Sequence, residues 1–167
     1  VCVVTKLGTD RTARVPRKRF ELPYLKEAFE RSVERLGRDP LDVVLLHNPS
    51  PTALERDEAT GLLAELHEAG RVRAWGVSAG SVEAARGAIR RGAQVLALTY
   101  NLLCSRDLRE LEGEVDERGV GVLAHSVLAY GLLCGHWSAD KQFGEGDHRA
   151  ERWSADELRL RLRHLDA

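Results

Sequence analysis

Five short apolar runs alternate with five stretches of helical periodicity along this 167-residue chain, and a glycine follows nearly every helix. Continuous runs of β-branched and aliphatic residues read as strands buried on both faces, which are parallel strands. They are "VVTKLG" at the start, Leu41 to Leu46, "VRAWGVS" from Val72, "QVLALTY" from Gln94 and "VGVLAHS" from Val120. A polar, basic loop from Gly8 to Arg19 leads to a helix whose Leu25, Phe29, Val33 and Leu36 share one face with Ala28 and Ser32. Gly37 stops it, and Pro49 and Pro51 mark a loop beyond the second strand. The next helix runs from about Asp57 to Ala69, with Gly70 as its stop. Another is capped by Ser81 and ends at Gly92; a fourth spans about Asp107 to Arg118 and stops at Gly119. Cys134 to Trp153 is a Gly-rich polar loop without a period. Ser154 and Glu157 then form a capping box before a last helix with Leu158, Leu162 and Leu165 on one face.

Such alternation requires parallel strands joined by crossover helices, and it has two architectures, a doubly wound sheet and a (β/α)8 barrel. No strand is followed by a glycine fingerprint for phosphate, and "GVGV" at Gly119 precedes its strand, the wrong side for a dinucleotide turn. Single polar side chains sit instead at successive strand ends, which favours a TIM barrel. A barrel closes with eight strands and this chain supplies five β-α units, so the expectation is an incomplete α/β barrel domain over residues 1–167. An open arc exposes two strand edges and an apolar interior, so the piece is expected to be unstable alone. With no Met anywhere and an opening inside a strand pattern, the chain reads as part of a longer protein.

A formal net charge of -1 gives no electrostatic argument for nucleic acid or an anionic membrane. No apolar stretch approaches the roughly 20 residues that span a bilayer. Cys2, Cys104 and Cys134 have neither zinc spacing nor a disulfide framework, and they read as reduced, mostly buried thiols of a cytoplasmic protein. Asp147, His148 and Arg149 are adjacent on a loop and lack a fixed ligand geometry, so they read as a solvated turn and no metal site is expected. Arg159, Arg161 and Arg163 read as the solvated face of the last helix.

Lys6 and His47 each end an apolar strand, the position at which a barrel carries its chemistry. Taken alone, each has a bland alternative: a lysine snorkelling to solvent and a half-buried, satisfied histidine. Together with "LKEAFERSVERLGRDPLDVVLLHNP", "LHEAGRVRAWGVS", "TYNLL" and "GVGVLAHSVLAYGLLCG", however, the two segments resemble the aldo-keto reductases over essentially the whole chain. In that frame the chain covers the third to seventh barrel strands, and "FGEGDHR" within residues 134–153 is similar to the lid-loop region of one bacterial subgroup.

The resemblance implies NADPH-dependent reduction of a small-molecule aldehyde or ketone. Hydride passes from the nicotinamide while a tyrosine, acidified by a lysine paired with an aspartate, donates the proton and a histidine orients the carbonyl. Lys6 matches that lysine and His47 that histidine; the tyrosine and aspartate belong to strands outside this chain. Tyr24, Tyr100 and Tyr130 fall at other positions. Ser78 matches the serine that binds the carboxamide, with Ala79 where an asparagine often follows and Ala97 where many members carry glutamine. His125 takes the place of the aromatic residue under the nicotinamide ring, and Ser126, Leu128 and Gly131 match the turn approaching the pyrophosphate. Two other readings stay open. One is a non-catalytic reductase-like remnant that binds a partner or a second copy through its free strand edges. The other is a Schiff-base barrel enzyme using Lys6, which leaves His47 unexplained.

Overall fold

Strand order follows chain order. A computed structural model describes residues 1–12 and 14–165. Its elements run β1 (Val4–Leu7), β2 (Thr9–Asp10), β3 (Arg17–Lys18), α1 (Leu22–Leu36), β4 (Leu41–His47), α2 (Pro51–Glu55), α3 (Glu58–Glu68) and β5 (Val72–Ser78). Then follow α4 (Val82–Arg90), β6 (Val95–Thr99), α5 (Arg106–Arg118), β7 (Gly121–His125), a 3-10 segment (Ala129–Cys134) and α6 (Ala155–Leu165). The strands β1-β4-β5-β6-β7 form one sheet in that order, every pair parallel. A doubly wound sheet reverses its order at a switch point, and this one never does. The architecture is therefore an incomplete arc of an α/β barrel, with β1 and β7 as its edges.

Period-two alternation sorts the side chains of each strand between two faces. Val44 and Leu46, Trp75 and Val77, and Leu96 and Leu98 join Leu25 and Phe29 of α1, Leu62 and Leu63 of α3, Ala85 of α4 and Leu111 of α5 in one buried core. That core lies between the sheet and its outer layer of helices. The intervening residues, among them Lys6, Leu45, His47, Ser78, Ala97, Leu123 and His125, face the concave side. Gly76 is on the same side, and there the chains approach closely: a Cβ at Gly76 would sit 1.7 Å from the Val95 carbonyl oxygen.

The helix stops follow the sequence signals. Gly37 adopts φ 59° and its N–H donates to the Glu34 carbonyl at 3.2 Å. The Ser81 hydroxyl caps α4 by accepting from Ala84 N–H at 3.3 Å. At α6 the Ser154 N–H donates to Glu157 at 2.8 Å while the Ser154 hydroxyl accepts from Glu157 N–H at 3.3 Å, a complete capping box.

Three expectations are corrected. The Gly8 to Arg19 loop contains the antiparallel ribbon β2/β3, pairing Thr9 with Lys18 and Asp10 with Arg17. Pro51 is not loop but the start of α2, with Ser50 as its cap accepting from Ala53 N–H at 3.1 Å. All three cysteines are exposed rather than buried. Cys2 precedes β1, Cys104 sits in the turn before α5 and Cys134 ends the 3-10 segment, so apolar neighbours in sequence do not cover them.

From Cys134 to Trp153 the chain forms no helix or strand beyond the end of the 3-10 segment, yet it is packed. Trp137 meets Phe143 and Trp153 edge-on, with ring centres 5.0 and 5.8 Å apart. Both indoles lie against a second cluster formed by Ala129, Leu132 and Leu158. Arg149 stacks on Phe143 and grips Asp147 with two nitrogens, holding that carboxyl well below the usual carboxylate range. Asp147, His148 and Arg149 are thus a pinned surface turn. Among the described residues, no three His, Cys, Asp or Glu side chains gather as metal ligands, and no helix is long and apolar enough to cross a membrane.

Candidate active site

Register brings the polar side chains of four strands to one rim. Lys6 pairs with Leu45, and His47 lies two residues further along β4, hence on the same face. His47 pairs with Ser78, and Ser78 with Ala97. Ala97 pairs with Leu123, two residues short of His125, which pairs with Thr99. Lys6, His47, Ser78 and His125 therefore all face the concave side toward the carboxyl ends of their strands, where barrels place their chemistry. Strand spacing and rise put the α-carbons of Lys6 and His47 about 8 Å apart.

Electrostatics ties three of these groups together. Burial pushes the His47 imidazole below its ordinary value, and Lys18, Lys6, Arg11 and His125 push it further. Burial also lowers His125, with Lys6 acting in the same direction. One ammonium thus bears on both rings and favours the neutral form of each. Among the tyrosines, Tyr24 lies buried in α1 on the helix side, and burial pushes its phenol up, the wrong direction for a proton donor.

The His47 Nδ1 lies 2.9 Å from the Thr9 hydroxyl. Lys18 Nζ donates to the same hydroxyl oxygen at 2.9 Å and to the His47 carbonyl at 2.7 Å. Neither Thr9 nor Lys18 stands out in the sequence, because their role depends on the β2/β3 pairing; a polar loop offers no periodic signal for a two-residue ribbon. Beyond His47, Asn48 turns with φ 49° and its N–H donates to the Ser78 carbonyl at 2.9 Å. Ser78 itself is buried, and among the described residues its hydroxyl reaches only the Asn48 side-chain oxygen, at 3.5 Å.

After β7 the backbone bends sharply. Ser126, Ala129, Tyr130 and Gly131 all have positive φ, from 46° to 103°. His125 Nδ1 lies 3.2 Å from the Ser126 hydroxyl, and the Asn101 amide donates to the Ser126 carbonyl at 2.9 Å. The N–H groups of Ala129 and Gly131 are committed inside the turn, to the Ser126 and Leu128 carbonyls. Those of Val127 and Leu128 donate to no protein acceptor among the described residues. Left-handed residues in such a bend gather N–H groups into an anion-binding concavity. The turn after β7 thus leaves two N–H groups without a protein acceptor among the described residues, and the buried Ser78 hydroxyl lies on the same concave face two strands away. A phosphate and a polar amide are groups that such donors can take. The Gly131 side of the turn is closed by Trp137, whose ring lies 3.0 Å from where a Cβ would be.

Fold and rim together define a barrel-type enzyme scaffold, and comparison with known proteins gives the family. The sequence pattern described as the aldo/keto reductase family matches residues 1–165. The chain belongs to that family of oxidoreductases. It is similar to an aldo-keto reductase of Mycobacterium sp. (strain KMS), with 38% identity over 113 residues, covering 65% of this chain and 40% of the relative. The aldo-keto reductase yakc of Schizosaccharomyces pombe, whose name carries NADP(+), is 28% identical over 138 residues, covering 77% of this chain and 39% of that one. A glycerol dehydrogenase structure from Gluconobacter oxydans superposes with a TM-score of 0.82 at 25% identity, over 99% of this chain and 53% of its own. The chain spans about two fifths of the length of the curated relatives it matches.

Proposed function

We propose that the protein carrying this chain is an NADPH-dependent reductase of aldehydes or ketones, with Lys6 and His47 as the two members of its catalytic set found here. The observation that supports this most is the shared rim: a lysine and a histidine on one concave face, in a chain of this family. NADPH, when bound, supplies hydride to the carbonyl carbon. Lys6 favours the anion of a neighbouring phenol, bringing a tyrosine that titrates near pH ~10 into range as proton donor to the carbonyl oxygen. His47 offers a ring N–H to that same oxygen and sets its orientation. Ser78 holds the carboxamide, His125 packs against the ring, and the turn containing Ser126, Leu128 and Gly131 receives the pyrophosphate. The name of the S. pombe relative supports NADP over NAD, and that of the G. oxydans neighbour supports a small alcohol–carbonyl pair. We place the protein in the cytoplasm and expect its 167-residue portion alone to lack turnover, since no residue of this chain matches the tyrosine or the aspartate.

The test is NADPH consumption with a panel of short aldehydes and ketones, using the full natural chain. Lys6→Ala should lower kcat/KM by about 10²–10⁴-fold, the usual contribution of a group serving acid–base catalysis. Undiminished turnover removes Lys6 from the mechanism, and a covalent substrate adduct trapped at Lys6 by borohydride replaces reduction with Schiff-base chemistry.

A further inference from the structure

We propose that Thr9 and Lys18 are positioning residues that lock His47 in its neutral Nε2–H tautomer, leaving Nε2 as the donor available to a ligand oxygen at the rim. This rests on the reductase reading for its purpose, though not for its geometry. An ammonium has three donors and no acceptor, so Lys18 must donate to the Thr9 oxygen at 2.9 Å and to the His47 carbonyl at 2.7 Å. Two bonds from one ammonium fix it between the ribbon and the tip of β4. The Thr9 hydroxyl then accepts from Lys18 and keeps one proton to give. Its only other partner among the described residues is His47 Nδ1, at 2.9 Å. Given to Nδ1, that proton makes Nδ1 the acceptor and puts the ring proton on Nε2, because the bond made by one imidazole nitrogen decides the state of the other. Nε2 has no hydrogen-bond partner among the described residues.

The surroundings favour the same state. Charges bearing on the ring are the cations Lys18, Lys6 and Arg11, with His125 from β7, and all oppose an imidazolium. Asp10, next to Thr9, is turned to Thr12 and Arg19 instead. The ribbon thus carries a hydroxyl and its cation to the back of the histidine. No step of bond making is assigned to either residue.

Long-range 1H–15N spectra of 15N-histidine-labelled protein, on the full natural chain, read the tautomer without any turnover. A His47→Gln sample identifies the His47 signals. The wild-type ring should show a bare, hydrogen-bonded Nδ1 and a protonated Nε2, with no averaging between tautomers. Thr9→Val should move Nδ1 toward the average of a free imidazole and raise the His47 titration midpoint by roughly half a unit to one unit, the size a hydrogen bond carries. Thr9→Ser should restore both readings, and Lys18→Met should shift them in the same sense as Thr9→Val. A wild-type ring protonated on Nδ1, or averaged between tautomers, overturns the inference. So does an unchanged ring in Thr9→Val or, if that variant does not fold, in Lys18→Met. Loss of NADPH consumption with an intact tautomer pattern counts against the reductase reading alone.

Discussion

Burial and three nearby cations all act in one direction on the ring of His47, toward its uncharged form. His125 follows the same rule through burial and Lys6. Both folded-state values lie below the ordinary value of about 6.5, so the unfolded chain takes up these protons first as pH falls. The stability they contribute is complete above that ordinary value and is lost as pH drops through the folded values. We expect the thermal unfolding midpoint to decline between pH 7 and pH 5, and His47→Gln or His125→Gln to flatten that decline; an unchanged slope in both would contradict the burial of the rings. A second loss belongs to Asp10, whose carboxyl is lowered from 3.8 to about 2 by the hydroxyl and N–H of Thr12, with Arg19 adding to it. Lys6 and His47 are legible because a lone polar residue at the end of an apolar run is conspicuous. Thr9 and Lys18 are not, since nothing local distinguishes a hydroxyl that meets an imidazole 38 positions away.

At the level of whole elements, strand β5 matches its apolar run residue for residue, and α4 and α5 begin within one residue of their expected starts. Burial of Trp75 to Ser78 makes the run conspicuous even though Arg73 near its start is exposed, and serine or glycine caps mark the helices. Where sequence and structure part, packing is not the organising force. The ribbon β2/β3 pairs only two residues per strand and buries little apolar surface. Helix α2 is legible in principle, since a serine before a proline is a cap followed by a first helical residue, but Pro49 and Pro51 together suggest loop. Gly76 gives this scale its sharpest test. A methyl group there collides with the β6 backbone rather than with a flexible side chain, so Gly76→Ala should destabilise the fold by about 1–3 kcal/mol and lower the urea midpoint. A midpoint equal to wild type would show that β5 and β6 can separate without loss.

For the molecule as a whole, the open arc is the dominant fact. Val4 and Leu123 stand on the concave face at 38% and 37% exposure, on the two edge strands. Unpaired edges and uncovered apolar residues invite pairing with another chain. We expect the 167-residue portion produced alone to self-associate, with the associated fraction rising with concentration in sedimentation velocity; a strictly monomeric species at high concentration would argue that the edges are harmless. The family resemblance makes the arc legible before any coordinates, because five β-α units cannot close a ring. The packed state of residues 134–153 is not legible, since its indoles and phenyl ring meet through turns without a period.

Those indoles have an optical consequence. Trp75 is enclosed between sheet and helices, whereas Trp137 and Trp153 touch each other beside the bend that holds Gly131. Fluorescence from these three residues is consequently a composite, two emitters reporting the loop and one reporting the core. A segment without regular structure opens at lower cost than a buried strand. Emission should therefore redden in two stages under rising urea, and Trp75→Phe should abolish only the later one.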